Sequence, residues 1–294
     1  KFFVTGLFVS VLAACGGGSN SNSNSGPTEP ETGNLISVFG SDGPMAGADI
    51  AVYGLQAYLD DSDTAENLLA AAATTDAVTA LADDLELSLN AGNGPFVVVV
   101  TANGDTIDLS TGAAPVISEV TTIVASLTDA RVYATPLTTL AVALAMDGEA
   151  VADNVIGIKL VASQLLAKAF IGFGMDADID IFTVPPVLDE NTTSADVQAD
   201  VAQYRGANEA FAFIVEDSAL DFASIIVDAS DGILNDAAVI AAVQGLDVLD
   251  VLSRVSAASI ADLLDADATG LADGYVIDAG VDEAPSNVVD SDAD

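Results

Sequence analysis

The strongest constraint on what this chain can fold into is its charge. Over 294 residues, 45 Asp and Glu face only six Lys and Arg, which gives a net charge of −39. Self-repulsion on this scale destabilises a compact state at low ionic strength. Because 51% of the residues are hydrophobic, we nevertheless expect a folded body with a substantial core. Nucleic acid is excluded as a partner, since no basic patch is present to neutralise phosphates.

Two explanations of the acidity stay open. In a saline medium the repulsion would be screened, because the Debye length falls from about 8 Å at 0.15 M salt to about 3 Å at 1 M. Alternatively, divalent cations would neutralise clustered carboxylates. We favour salt adaptation, as in a halophilic or marine protein, because Lys is nearly absent and the acids are spread along the whole chain.

The first fourteen residues predict a secretory signal peptide. Lys1 is followed by an apolar run over Phe2–Leu12 and then by small residues. This run is shorter than the roughly 20 residues that cross a bilayer as a helix. Residues 1–14 therefore fit a cleaved signal better than a membrane span.

Lipidation is predicted at the end of this signal. Leu12-Ala13-Ala14-Cys15 contains the only cysteine of the chain and resembles the lipobox of bacterial lipoproteins. The resemblance implies that Cys15 is diacylated and binds the membrane through acyl chains, which contribute about 0.8 kcal/mol per buried methylene. Gly16 after the cysteine resembles outer-membrane sorting. We expect a lipid-anchored protein of the outer membrane, either on the cell surface or facing the periplasm.

A linker and a strand-rich segment follow the cysteine. Residues 15–33 hold Cys15 and a flexible linker rich in Gly, Ser and Asn, with a reach of about 25 Å. From 34 to 116, short β-rich runs such as Ala48–Tyr53 and Phe96–Val100 alternate with turns that contain Gly and Pro. This spacing predicts a β-sandwich domain, with a short helix over Ala65–Thr75.

Three parts of this segment resemble bacterial surface domains with a carboxypeptidase-regulatory-like sandwich. Asp42–Ile50 resembles their "DGPVAGATV" opening, Thr74–Ala77 is similar to their "TTDANG" turn, and Gly94–Val98 resembles their next-to-last strand. The resemblance implies a transthyretin-like or Ig-like β-sandwich. Val78-Thr79 stands where that turn has its Gly, which indicates a rebuilt turn.

Beyond residue 117 the apolar pattern becomes helical and predicts an α-helical domain over 117–268. Thr135-Pro136 is a helix start signal, and Thr135–Ala141 resembles the "NPLTTLA" segment that follows such sandwiches in marine bacterial lipoproteins. An acidic tail over 269–294 ends the chain. The predicted fold class is thus α+β and multidomain, with an N-terminal sandwich and a C-terminal helical domain. The helix that starts at this signal is predicted to end at Met146. Five further helices are predicted over 149–171, 195–217, 220–228, 236–244 and 246–264, and Ser194 is the predicted cap of the second of these.

The residue types present exclude most catalysis. The chain has no histidine, which removes Ser-His-Asp and Cys-His arrangements and ordinary zinc sites. A glycosidase would need only two carboxylates, but the chain has no Trp and few other aromatic residues for binding sugar rings. We therefore expect that the protein is not an enzyme.

Calcium is the cation that the acidic loops suit, because it takes carboxylate and carbonyl oxygens. Residues 265–273 resemble much of an EF-hand loop, although Val276 replaces the bidentate Glu. Residues 228–236 are similar to a "DLADGxxDG" element of the lipoprotein group. The alternatives are an acidic helix terminus at the first loop and a helix–helix turn at the second. The candidate ligands are Asp265, Asp267, Thr269 and Asp273 in the first loop and Asp228, Asp231 and Asp236 in the second.

Two further patterns are informative. Asp176, Asp178 and Asp180 alternate, which predicts three carboxylates on one strand face, exposed to water or sharing a cation. Apolar residues at helical spacing are predicted to form core rather than a cofactor pocket. These are Leu160, Leu165, Leu166, Phe170, Phe211, Phe213, Phe222, Ile225 and Ile226.

The function that fits these features is that of a non-enzymatic surface lipoprotein for cell adhesion, matrix scaffolding or recognition of a protein partner. Strand addition at a sandwich edge is one mechanism, because main-chain hydrogen bonds then supply affinity. A self-assembling filament or matrix subunit is the alternative, in which calcium or salt screens the repulsion between copies. An accessory lipoprotein of a secretion or transport complex is a third interpretation.

Overall fold

A computed structural model of the chain describes residues 35–41, 43–60, 67–70, 73–77, 80–87, 94–125, 131–146, 151–172, 175–187 and 194–246. Within these ranges, nine strands and six helices form an α+β fold. The predicted signal peptide, linker and acidic tail lie outside the described residues, as does all but the first residue of the helix predicted over 246–264.

The described strands form three small sheets. The first has the order β4-β3-β6-β8, the second β5-β1-β9, and the third pairs β2 with β7. The strands are β1 (Leu35–Gly40), β2 (Met45–Ala46), β3 (Asp49–Gly54), β4 (Ala73–Thr74), β5 (Leu81–Glu86), β6 (Phe96–Thr101), β7 (Ile107–Asp108), β8 (Glu119–Val124) and β9 (Arg131–Ala134). β1 pairs with β9 in parallel and with β5 antiparallel. Strands β8 and β9 are therefore both edge strands.

Strand β6 lies inside the four-stranded sheet and is its most buried strand. It pairs antiparallel with β3 on one side and with β8 on the other. Its consecutive β-branched residues Val97, Val98, Val99 and Val100 are all buried. A continuous apolar run of this kind suits a strand that is covered on both faces of its sheet.

Helices cover one face of this sheet, and the larger part of the core lies on the other. The helices are α1 (Leu55–Leu59), α2 (Pro136–Met146), α3 (Asp153–Ile171), α4 (Ala195–Ser218), α5 (Phe222–Ala229) and α6 (Ala237–Gly245). Val97, Val99 and Ile123 pack with residues of α2 and α3. Val98 and Val100 belong to a cluster that also contains residues of β1, α4 and α6. Strands and helices thus share one compact unit.

The two predicted helix starts are confirmed. Helix α2 begins at Pro136, and the Oγ1 of Thr135 accepts a hydrogen bond from the Thr138 N–H at 3.1 Å. Ser194 caps α4 in the same way, accepting from the Val197 N–H at 3.2 Å. These caps satisfy N–H groups that have no acceptor within the helix, which is why short local sequences fix where both helices begin.

Two secondary-structure predictions for the first 134 residues are wrong. The chain is not helical directly after residue 117, because strands β8 and β9 come first. Their β-branched and aromatic residues fit a largely buried sheet better than a helix. The helix predicted over Ala65–Thr75 is also wrong in the described part of that range, where Ala73–Thr74 forms β4. A short helix instead precedes it as α1.

Most of the predicted helical core is confirmed. Leu160, Phe170, Phe211 and Ile225 are buried, and Phe213, Phe222 and Ile226 pack against the core while partly buried. Leu165 and Leu166 are the exceptions, since each is about half exposed. Both lie on the outer face of α3, whose inner face already fills the space against the sheet and α2.

The first two motif segments contact each other. The Thr75 N–H donates to the carbonyl of Ala48 at 2.9 Å, and its Oγ1 accepts from the Ala48 N–H at 2.9 Å. Gly43 lies against the carboxylate of Asp108, where an added Cβ would be 1.8 Å from Oδ1. Only glycine fits at that position, because a side chain there would collide with this carboxylate of β7.

Candidate interaction surface

A cleft of about 670 Å³ opens between the edge strands β8 and β9 and helix α3. Apolar side chains, including Ile123, Leu160 and Phe182, contribute to its lining. Polar side chains also line it, namely Thr122, Arg131, Gln164, Asp180 and Thr183. A concave site of this volume, with apolar walls and a few polar groups, is the usual form of a binding site.

The edge of β8 reaches this cleft. Thr121 directs its backbone away from β6, since its N–H donates to Thr139 Oγ1 at 2.7 Å and its carbonyl accepts from Thr138 Oγ1 at 2.8 Å. Backbone direction alternates along an antiparallel pair, so the N–H and C=O of Ile123 point the same way. Helix α2 covers the edge at Thr121, whereas Ile123 lines the cleft. An edge of this kind is where a further strand can pair.

Lys168 fixes the wall of the cleft that the turn around Asp180 forms, opposite the edge of β8. Its Nζ lies 2.6 Å from each of the carbonyl oxygens of Ala177 and Ile179, in the turn that leads to Asp180. The side chain is buried, and this desolvation lowers the pKa of Lys168, while the carboxylates of Asp180 and Asp178 act in the opposite direction. Charge-assisted bonds from a buried donor fix this turn in one position.

Two further side chains fix the same wall. The N–H of Ile181 donates to Gln164 Oε1 at 3.3 Å, and its carbonyl accepts from the Tyr204 hydroxyl at 2.8 Å. Tyr204 also bonds Thr135 Oγ1 at 2.8 Å, and its burial raises its pKa far above the usual range. The segment with Asp176, Asp178 and Asp180 is thus a braced turn, and the strand predicted there is wrong.

An exposed apolar face of α3 adjoins the cleft, and we call it the α3 stripe. Val161 belongs to both surfaces. Ile158 is the most exposed of its large side chains, at 73%. Among the described helices, α3 is the one that is long and apolar enough to cross a membrane. The core helix of a soluble protein has the same length and composition, so this property alone does not indicate a membrane span. The stripe consists of Val155, Ile158, Val161, Ala162, Leu165, Leu166 and Ala169.

The second acidic loop uses its carboxylates to bind its own backbone. Asp228 Oδ2 accepts from the N–H groups of Asn235 and Asp236 at 3.0 Å each. Asp231 accepts from the Ile233 N–H at 3.0 Å. Asp236 caps α6, accepting from the Ala238 N–H at 2.7 Å. These contacts match the alternative interpretation of the loop as a helix–helix turn.

The remaining predicted site residues lie outside the described residues. They are Cys15, Asp265, Asp267, Thr269 and Asp273. Within the residues that the structure describes, no group of three or more His, Cys, Asp or Glu side chains is placed to hold a metal ion. Calcium binding by the first loop stays a prediction.

A buried ion pair in α4 is absent from the sequence predictions. Arg205 is 1% exposed and Glu209 4%, and Arg205 Nη2 contacts Glu209 Oε1. The guanidinium also donates to Ser41 Oγ at 3.0 Å and to Ser110 Oγ at 2.8 Å, so it joins α4 to the segments after β1 and β7. The signal was an Arg with a Glu four residues later, within a predicted helix of a chain that has only six cations.

Comparison of the chain with family models, with curated proteins and with solved structures finds no match. The interpretation of function therefore depends on the sequence pattern and on the cleft and stripe described above.

Proposed function

We propose that this chain is a non-enzymatic surface lipoprotein that recognises a protein partner at the cleft between β8, β9 and α3. The observation that best supports this is the edge of β8 at Ile123, which presents backbone hydrogen-bonding groups to an apolar cleft. A partner segment in extended conformation would add to β8, because main-chain hydrogen bonds give affinity and side-chain pockets give specificity.

The proposed placement of the protein completes this function. Cys15 would carry the acyl chains in the outer membrane, and the linker over 15–33 would hold the acidic body away from an anionic surface. We also interpret the strand-rich part of the chain, predicted over 34–116 and extended to residue 134 by β8 and β9, as a transthyretin-like sandwich with the helical region packed against it. The antiparallel four-stranded sheet and the contact between the first two motif segments support that interpretation.

The hydrogen bonds that fix the turn wall of the cleft support binding there. Lys168, Gln164 and Tyr204 hold its turn wall through hydrogen bonds to backbone atoms. A wall that is already ordered loses little conformational entropy when a ligand binds, so a short segment is enough for measurable affinity. The polar lining, with Arg131 and Asp180, would orient a partner backbone or a polar side chain.

A substitution that fills the cleft tests the proposal. Gly157 lines the cleft, and a Cβ added there would be 3.7 Å from Ala125 Cβ, an ordinary contact. Gly157→Leu should block the cleft, whereas Gly157→Ala should leave it open, and both remove a helix-destabilising glycine. The probe is a display library of random decapeptides, selected on the wild-type chain and then measured by fluorescence anisotropy.

We expect the selected peptides to be extended and to lose at least tenfold in affinity for Gly157→Leu while binding Gly157→Ala unchanged. Equal affinity for both variants, or selection of no peptide at all, would refute binding at the cleft.

A further inference from the structure

The α3 stripe has the spacing of a helix–helix contact. Positions 155, 158, 162, 165 and 169 follow one another at intervals of three and four, and all five are exposed. This is the interval at which one helix packs along another in a coiled coil. Large side chains at Ile158 and Leu165 flank the small Ala162, which would let two helix axes approach closely at the centre of the stripe.

The stripe is also the part of the folded chain that carries the least negative charge. Residues 154–175 contain no Asp or Glu, and no acid-free segment between residue 29 and residue 294 is longer. Helix α3 has two Lys, Lys159 and Lys168, against one acid, Asp153, so its side chains carry a net charge of +1. Two copies of a chain with a net charge of −39 repel each other least where they meet through this helix.

We propose that the α3 stripe binds the same stripe of a second copy of this chain in a twofold dimer with antiparallel α3 helices. An interface of this kind is isologous, so one patch supplies both sides of the contact. In the antiparallel arrangement the N-terminus of each α3 lies beside the C-terminal end of the other, so the two helix dipoles oppose each other favourably.

The size of the stripe sets the expected strength of the dimer. From the exposure of its members, the stripe presents on the order of 400 Å² of apolar surface, which is within the range of the largest patch on a typical monomer, a patch that is often functional. Two such patches bury less than the roughly 1,200 Å² of the smallest stable complexes. We therefore expect a reversible dimer with a dissociation constant on the order of 10 μM. Salt should strengthen it by screening the repulsion between the two bodies.

Sedimentation equilibrium of the full chain tests the proposal. The chain is studied from 5 to 500 μM in 0.15 M and 1 M NaCl, with Cys15→Ser to exclude thiol chemistry. We expect a monomer–dimer equilibrium, and at least tenfold weaker association for Ile158→Glu and for the uncharged variant Ile158→Gln. Val227→Glu is the matched control, because Val227 is 72% exposed on α5 and outside the stripe, and its dimer should be unchanged.

A cross-link locates the contact independently. Ala162 lies at the centre of the stripe, so Ala162→Cys in the Cys15→Ser chain should form a disulfide-linked dimer under mild oxidation, whereas Val227→Cys should not. Circular dichroism melts confirm that each variant is folded. A wild-type chain that stays monomeric at 500 μM in both salts would refute the dimer, as would an Ile158→Gln variant that associates like wild type.

Vesicle binding is the competing outcome. Vesicles of phosphatidylcholine with 20% phosphatidylglycerol are sedimented with the unlipidated chain. Binding by a monomeric wild type that is lost in Ile158→Glu would make the stripe a lipid-binding face and would overturn the proposal. The dimer does not depend on the cleft: Gly157→Leu should leave the association constant unchanged even where it abolishes peptide binding.

Discussion

Removing Arg205 from the buried ion pair should destabilise the fold strongly. In Arg205→Met, Glu209 keeps its burial but loses the guanidinium that contacts it, and Ser41 and Ser110 lose a charged donor. Removal of one partner from a buried ion pair costs about 3–5 kcal/mol. Most single substitutions cost less than 3 kcal/mol, so this one should fall among the largest effects.

A double variant separates the effect of the buried charge on stability from the effect of packing. Arg205→Met combined with Glu209→Leu removes both charges and keeps apolar volume in the site. Because desolvation of the two ions is then relieved, the free energy of unfolding should return to within about 1 kcal/mol of wild type. The double variant should therefore be more stable than Arg205→Met by at least about 2 kcal/mol, although it carries one more substitution.

Urea denaturation at 1 M NaCl, followed by circular dichroism, measures these free energies with the surface repulsion screened. Lys159→Met, on α3 and partly exposed, is the control, and its effect should stay within about 0.5 kcal/mol. If the double variant is as unstable as Arg205→Met alone, then the buried charge of Glu209 is not the cause, and the reasoning is refuted.

Three other substitutions or conditions have defined outcomes. Lys168→Met should lower the free energy of unfolding by about 2–4 kcal/mol in urea, because the carbonyls of Ala177 and Ile179 lose a charged donor. Desolvation and the charges of Asp178, Asp176 and Asp196 raise the pKa of Asp200, so its carboxylate destabilises the fold as pH rises through that pKa. Asp200→Asn should therefore stabilise at pH 7 and lose this advantage in acid, as thermal melts at pH 3 and pH 7 would show. Raising NaCl from 0.15 to 1 M should raise Tm, and 5 mM CaCl₂ against EDTA at 1 M NaCl should shift it further only if calcium binds.

Local signals in the sequence predicted local structure well. The start of α2 at Pro136 and the cap of α4 at Ser194 depend on neighbouring residues alone, and the buried strand β6 is visible as a run of β-branched residues. The parallel pairing of β1 with β9 brings together segments about 95 residues apart. No periodicity within either segment specifies that pairing.

The exposure of the outer face of α3 could not be predicted, for a different reason. Apolar residues occupy both faces of this helix, so the pattern predicts a buried helix without showing which face turns inward. Leu160 and Leu165 have the same chemistry, and only packing against the sheet and α2 buries one and exposes the other. The acidic loop at 228–236 is ambiguous in a similar way, because Asp is favoured both in turns and as a calcium ligand.

The placement of the cations connects the charge of the chain to its fold. Of the four cations among the described residues, Lys168 and Arg205 are buried, where they bind backbone carbonyls or join α4 to the sheets. They contribute little to neutralising the acidic surface, so that surface depends on ions in solution. Salt should accordingly act on wild type and on Arg205→Met with the same slope of Tm against the logarithm of NaCl concentration, although the melting temperatures differ. A smaller slope in the variant would mean that the buried pair, rather than the surface carboxylates, responds to salt.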